Sequence, residues 1–215
     1  MKAPGYILKP CSGALVAAMC EHYHYYGGAG CGMAASFAVF EDGEAVAAFA
    51  WSPPPYGAAE AVCLEAPQGV LALSRMVAVP RAERRLNHIS KPLRRQMRVL
   101  LDRGRWPVLV TYHDEGEGHT GHVYKCSGWQ PTVRNRVPVF QGPDGVRKSK
   151  YSGGRRSDAK HCGWTWLQRW EHWACERGRA LEHMEAEGWR RVPIPGKKWA
   201  SGNQAYTYKK ERREE

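Results

Sequence analysis

The stretch of chain that decides the fold reads PVLVTYHDEGEGHTGHVYKCSGW and spans residues 107–129. Its first part, residues 107–112, is short, apolar and β-branched, which predicts a buried strand bounded by turn residues. Asp114 stands where this strand opens into a glycine-rich loop. Residues 121–128 can close about two helical turns, with Gly128 as a left-handed stop, so Tyr124 would project beside the strand. A carboxylate and a phenol at the end of a buried strand predict a reaction centre.

The segments before this stretch predict further strands and helices. A short helix is expected over residues 14–20, and the apolar runs 36–40 and 45–51 flank an Asp-Gly pair, which predicts a β-hairpin. Residues 69–79 favour another strand, and an apolar stripe between Ile89 and Leu101 predicts a helix that packs on the sheet. Together these elements predict an α+β fold, with a mixed, mostly antiparallel sheet flanked by helices.

The start of that helix is less sharply marked. Asn87 and Ser90 can both cap it, and Pro92 is comfortable only within the first turn, which favours Ser90.

The amino-acid composition of the chain changes after residue 140. We expect a main domain over residues 1–140 and a basic, flexible insertion over residues 141–163, which are rich in Gly, Ser, Lys and Arg. Tryptophan recurs at helical spacing beyond it, which predicts a helical, Trp-rich extension over residues 164–215, packing on the same domain. Its main helix would span residues 164–187 and a last edge strand residues 205–209. The tryptophans would pack as core or lid, with base stacking as the alternative.

The motifs in these segments resemble the Mom family of phage DNA-modification proteins, which have a GNAT-type acyltransferase fold. The resemblance rests on Leu73-Ser74-Arg75-Met76-Val77, on the Asn87 and Ser90 region, and on the Asp114 strand end followed by the G-x-x-G-x-V-Y pattern that ends at Tyr124. A His24-Tyr25 pair also matches, and the likeness covers about residues 20–135. The stretch after residue 140 is not placed on that pattern, and its role is open.

The resemblance implies an enzyme that adds a small carbamoylmethyl-type group to adenine N6 in phage DNA and thereby protects it from restriction. It implies catalytic roles for Asp114, Tyr124, Arg75 and Ser90. The adenine amine is a weak nucleophile and needs a proton acceptor, for which Asp114 is the candidate. Tyr124 would donate a proton or hold the electrophile, while Arg75 and Ser90 would stabilise negative charge on the donor. From spacing alone, Asp114 could equally cap a turn while Tyr124 lies in the core.

The donor of the group is not identified by the sequence. Acyl-CoA-binding members of the GNAT fold carry a glycine-rich pyrophosphate loop before the central helix, whereas residues 80–87 here contain no glycine. Without glycines the backbone cannot approach a pyrophosphate closely, which argues against coenzyme A.

The net charge of +11 and pI near 9.5 favour a polyanionic partner, and the resemblance implies that this partner is double-stranded DNA. A duplex buries the adenine amine, so the base must be extruded into a pocket. The candidate substrate- and DNA-binding residues are Tyr25, Tyr112, His119, Arg84, Arg85, Lys148, Lys150, Arg155 and Arg156.

Cysteine and histidine usage bears on metals and on location. The chain has 7 cysteines and no C-x-x-C pair, which predicts a reducing environment, the cytoplasm of the host bacterial cell. Neither a membrane span nor a signal peptide is expected. The residues His22, His24 and Tyr25 are candidates for an iron or zinc site, because Cys20, His22 and His24 would share one face of a strand.

The sequence is compatible with two other functions. The first is a GNAT-type N-acyltransferase that acts on a protein or a small amine. The second is a non-catalytic DNA-binding protein. The sequence also allows a homo-oligomer.

Overall fold

The computed structural model describes residues 5–25, 32–143, 145, 147–148, 160–198 and 204–211. Ten strands and five α-helices are found there. The strands are β1 Tyr6–Pro10, β2 Ala35–Glu41, β3 Glu44–Ser52, β4 Val70–Ala78, β5 Val108–Asp114, β6 Gln130–Gln141, β7 Arg147–Lys148, β8 Lys160–Trp173, β9 Trp189–Lys198 and β10 Gln204–Lys210. The helices are α1 Gly13–Tyr23, α2 Tyr56–Glu60, α3 Ser90–Leu101, α4 His122–Cys126 and α5 Ala180–Ala186.

The main sheet has eight strands in the order β1-β2-β3-β4-β5-β8-β6-β7, and β9 pairs with β10 in a separate sheet. The predicted hairpin is confirmed, because β2 and β3 pair across Asp42 and Gly43. Both turn residues have positive φ, 49° and 91°, which an Asp-Gly pair tolerates better than most. The predicted α+β fold with a mixed, mostly antiparallel sheet is therefore what the chain adopts.

The parallel pair at the centre of the sheet separates part-way along its length. β4 and β5 pair only at Val70–Val108, Leu71–Leu109 and Ala72–Val110 within the described residues. One step further, the Thr111 hydroxyl donates to the Leu73 carbonyl at 3.1 Å. Both strands continue beyond this point, β4 to Ala78 and β5 to Asp114. The end of β5 is therefore free of β4 and can line an opening.

Each face of the sheet is covered by its own core. Side chains of α1, α3 and α4 pack on one face, here called the α1–α3 face; they include Val16, Cys20, Leu93, Met97, Leu100 and Tyr124. The other face, here the α2–α5 face, is covered by Ala59, Cys63, Ala180, Met184 and Tyr208. Side chains alternate along a strand, so consecutive residues of β5 enter different cores.

Helix α3 begins at Ser90, so the expected cap is one position off. Ile89 occupies the N-cap, and no side chain caps the helix there. Pro92 lies in the first turn as expected, and Leu93, Gln96, Met97 and Leu100 form the buried stripe.

The predicted helix over residues 164–187 is wrong. Residues up to Trp173 belong to β8, which lies between β5 and β6 in the main sheet, and only Ala180–Ala186 is helical. The tryptophans at 166 and 170 fit a period of two as well as a helical stripe, and pairing with two neighbouring strands decides between them. The strand predicted over residues 205–209 is found as β10, which pairs with β9 in the separate sheet.

Most of the predicted basic insertion, including residues 149–159, lies outside the described residues. No helix in the described part of the chain is long and apolar enough to cross a membrane.

Candidate active site

The two titratable residues at the end of β5, His113 and Asp114, have their side chains on opposite faces of the sheet. His113 follows Thr111 onto the α1–α3 face, where its ring lies 6.4 Å from that of Tyr124. Asp114 is 1 % exposed and turns to the α2–α5 face, where its carboxylate accepts hydrogen bonds from the Thr165 hydroxyl and, at 2.9 Å, from the Gly116 amide. The prediction that Asp114 and Tyr124 form one reaction centre is therefore wrong: Tyr124 packs near His113, and neighbouring residues of a strand point to opposite sides.

Asp114 organises the loop that follows it. Its side chain caps the turn Glu115–Glu117, and the Thr165 hydroxyl also accepts a hydrogen bond from the Gly116 amide, at 3.1 Å. These bonds fix the start of the segment that leads to His119. The structure thus gives this carboxylate a positioning role.

Tyr124 is buried in the aromatic core of the α1–α3 face. Its ring packs near those of Trp129 and Trp170, and burial raises the pKa of its phenol, opposed by a hydrogen bond with Thr111. The chain reaches it through Gly121, which has φ of +69° and lies so close to Trp170 and His113 that a Cβ would collide with both rings. Only glycine fits there without displacing the rings.

An open cleft of about 480 Å³ lies beside this core. It is lined by His113, Glu115, Gly118, His119, Thr120, Pro131, Gln168 and Trp170. Sequence reasoning singled out only His119 from this set. Strand alternation along β5 could have identified His113, whereas Gln168 and Trp170 arrive through the pairing of β8 with β5.

His113 is held in one tautomer by its neighbour. The Trp170 indole N–H donates to Nδ1 of His113 at 2.7 Å. An indole nitrogen can only donate, so Nδ1 is an acceptor and Nε2 bears the proton of the neutral ring. Burial lowers the pKa of His113, with the charge of Glu115 opposing that effect, which favours the neutral form.

Tyr25 and His24 lie next to the cleft, because Tyr25 contacts the cleft residue His119. The rings of Tyr25 and His119 lie 5.6 Å apart, and Tyr25 stacks on His24 with ring centroids 4.5 Å apart. Burial, followed by the charges of Arg75 and His119, lowers the pKa of His24 to about 4. His24 is therefore a neutral imidazole at pH 7, with Arg75 close by.

The remaining predicted site residues are not gathered at the cleft. Ser90 is half-buried at the start of α3, where its carbonyl accepts from the Ser127 hydroxyl at 3.3 Å. Tyr112 faces away from His113, on the α2–α5 side of β5. The backbone of Lys148 in β7 pairs with that of Phe140 in β6, and Lys150, Arg155 and Arg156 lie outside the described residues.

The predicted metal ligands separate as well. The segment containing Cys20, His22 and His24 is the end of α1 rather than a strand, so these side chains do not share one face. His22 is exposed and its ring meets Tyr23, whereas His24 stacks on Tyr25. No group of three His, Cys, Asp or Glu side chains able to hold a metal ion is found in the part of the chain that the structure describes.

The backbone amides of the loop before α3 already bind a carboxylate of the same chain. The buried Glu41 carboxylate accepts the amide N–H groups of Arg85 at 2.7 Å and Leu86 at 2.6 Å. The Arg84 side chain donates to the carbonyls of Val79 and Leu86, and Arg85 pairs with Asp42 at 2.5 Å. The groups expected to cradle a pyrophosphate are thus engaged internally, so the residues present do not fit coenzyme A.

Comparison with known family models shows the family of this chain. The model of the Mom protein family matches residues 5–209. The chain belongs to the Mom protein family. The match extends well beyond residues 20–135 and includes β8, β9 and most of β10.

The structure of yncA agrees on the fold. The chain is similar to yncA of Salmonella typhimurium, whose structure contains its cofactor acetyl-CoA, with a TM-score of 0.51 and 12 % identity over 80 % of this chain and 95 % of that one. An N-acetyltransferase from Staphylococcus aureus Mu50 gives a TM-score of 0.49 and 11 % identity, covering 79 % and 99 % of the two chains. No curated protein matches the sequence. This Mom family member therefore has the GNAT fold that its motifs predicted.

Proposed function

We propose that this protein is a DNA-modifying transferase that adds a small carbamoylmethyl-type group to adenine N6 in phage DNA, in the cytoplasm of the host cell, and so protects that DNA from restriction. The observation that supports it is the cleft on the α1–α3 face. There a Mom family chain brings His113, His119 and, through Tyr25, His24 together beside Arg75.

The side chains around the cleft match the demands of this reaction. The adenine amine must lose a proton as its new bond forms, and a neutral imidazole can accept one. His119, which lines the cleft, is the candidate. Arg75 supplies positive charge for an anionic part of the donor. Asp114 acts through the loop that it fixes, and Tyr124 supports the ring of His113.

The donor in this proposal does not bind through a diphosphate. Glu41 occupies the amides of Arg85 and Leu86, and a diphosphate would have to displace that carboxylate. This observation also weighs against the rival acyl-CoA-dependent N-acyltransferase. Acetyl-CoA is expected to leave the melting temperature unchanged, whereas binding would raise it.

Iron remains part of the proposal through the pair that the family motif supplies. The ring of Tyr25 stacks on that of His24, and a phenol with an imidazole is a pair of donors that suits iron. A metal ion held there would polarise a carbonyl of the donor.

Nucleoside mass spectrometry tests the reaction. DNA from cells that express the chain is expected to contain an adenine nucleoside heavier by the added group. Arg75→Gln should lower its yield by about 100-fold or more, because charge stabilisation of this kind is lost. Arg98→Gln, which removes an exposed charge from α3, is the matched control and should not change the yield. Unmodified deoxyadenosine in cells with folded wild-type protein would overturn the proposal.

A further inference from the structure

The antiparallel strands β6 and β8 carry a row of paired arginines and tryptophans. The Arg134 guanidinium lies over the Trp166 ring, 4.3 Å from its centroid, and Arg136 lies 5.0 Å from that of Trp164. All four residues are on the α1–α3 side of this strand pair, because Arg134 pairs with Gln168 and Arg136 with Trp166 in register. We call Arg134, Arg136, Trp164 and Trp166 the Arg–Trp face.

Both tryptophans are open to solvent. Trp164 is 54 % exposed and Trp166 is 40 % exposed, whereas Trp170 on the same side of β8 is buried. Large aromatic rings are costly to leave in water and are enriched where proteins bind partners. These two indoles are therefore unlike the tryptophans that fill the core.

The row leads directly into the cleft. Trp164, Trp166, Gln168 and Trp170 alternate along β8, and the last two line the cleft. Residues two apart in a strand are separated by about 6.6 Å, so Trp166 lies about 13 Å along the strand from Trp170. A chain that runs along this face would arrive where His113 and His119 stand.

The chemistry of the face selects the partner. An indole offers a flat surface for stacking and a guanidinium offers hydrogen bonds to phosphate, which together suit a base and its adjoining phosphate. Bases within a duplex stack on each other and show only their edges in the grooves, so they cannot stack on these rings. We propose that the Arg–Trp face binds a nucleic-acid strand whose bases are unpaired.

This inference rests on the proposed function for its location, since an adenine that enters the cleft must first leave its stack. The opened strand beside that adenine would then lie on Trp166 and Trp164. Arg136 would contact its phosphate. Arg134 is shared with Glu115, which it pairs with at 2.8 and 2.5 Å at the rim of the cleft.

Binding of a fluorescein-labelled oligothymidylate of about 20 nucleotides, compared with a duplex of the same length, tests this proposal by anisotropy. Trp164→Ala with Trp166→Ala should weaken binding of the single strand by about tenfold or more, because two stacking platforms are lost. Trp164→Phe with Trp166→Phe should stay within about threefold of wild type, since a phenyl ring still stacks. Leu64→Ala, which removes an exposed apolar side chain elsewhere, is the control and should have no effect.

A charge reversal gives a second, independent readout. Arg136→Glu should weaken single-strand binding and flatten its salt dependence more than Arg98→Glu, which makes the same change in net charge on α3. Single-strand affinity unchanged in both the alanine pair and Arg136→Glu would overturn the proposal. Equal losses for single strand and duplex would also overturn it, and so would a tryptophan-dependent dimer seen by sedimentation.

The two proposals fail separately. If wild-type protein leaves adenine unmodified while the alanine pair loses single-strand binding, the face is supported and the reaction is not. If modification is normal in the alanine pair and single-strand affinity is unchanged, the face is refuted and the reaction stands.

Discussion

His113 and Asp114 are consecutive residues of β5 with opposite environments. His113 lines an open cleft and is bonded to Trp170, whereas Asp114 is sealed between Thr165 and the Gly116 amide. The difference shows that a titratable group next to a glycine-rich loop is not thereby exposed to a substrate. The direction of its side chain from the strand decides whether it can do chemistry or hold the loop in place.

The largest effect is expected for a substitution in the cleft on the α1–α3 face, and it is a loss of adenine modification. His119→Ala should lower adenine modification by about 100-fold with little change in melting temperature, because His119 is an exposed loop residue that lines the cleft. His122→Ala is the matched control: it removes an exposed histidine of α4 that is not among the cleft residues. Equal modification by the His119 variant and wild type would contradict the claim that the cleft face carries the chemistry.

On the opposite face, Asp114→Ala should lower the free energy of unfolding by about 2–3 kcal/mol, because the Gly116 amide and the Thr165 hydroxyl lose a buried acceptor. Asp114→Asn keeps an oxygen at that place and should cost less. Urea titration measures both. An Asp114→Ala protein as stable as wild type would contradict the positioning role.

The pH dependence of stability should report His24. Its pKa falls from 6.5 to about 4 on folding, so the folded state binds fewer protons than the unfolded state below pH 6.5. The free energy of unfolding is therefore unaffected by His24 above pH 6.5, and it declines by up to about 3 kcal/mol as the pH falls towards 4. His24→Gln should remove this decline in the presence of a chelator, and His88→Gln, an exposed control, should keep it. An unaltered pH profile in His24→Gln would count against a buried neutral imidazole.

The smallest effect concerns Tyr124. Tyr124→Phe removes the hydrogen bond with Thr111 but keeps the aromatic packing with Trp129 and Trp170, so a loss of about 1 kcal/mol is expected. Thermal or urea unfolding measures it. A loss several times larger would mean that the phenol supports more of the site than its one bond with Thr111.

Much of the fold was predictable from local pattern. Asp42-Gly43 between apolar runs predicts the β2–β3 hairpin, and the stripe from Leu93 to Leu100 predicts α3, because turn chemistry and amphipathic spacing are properties of short segments. The family motifs likewise placed Asp114 at the end of a strand and Tyr124 on a short helix.

The region after residue 160 was not predictable in the same way. Trp166 and Trp170 satisfy both a strand and part of a helix, and their neighbours in the sheet come from β5 and β6, about 30 to 60 residues earlier in the chain. The cleft depends on that pairing, because Gln168 and Trp170 form part of its wall.

The sequence alone determined the basic charge, the hairpin, the central helix and the membership of a family, since composition, turn residues and motifs are all local. Tertiary structure decided which groups meet. It set Asp114 apart from Tyr124, joined His113 to Trp170, placed Glu41 on the loop before α3 and turned the C-terminal tryptophans into a strand. The physical reason is that strand register and side-chain direction depend on pairing between distant segments, which no local pattern contains.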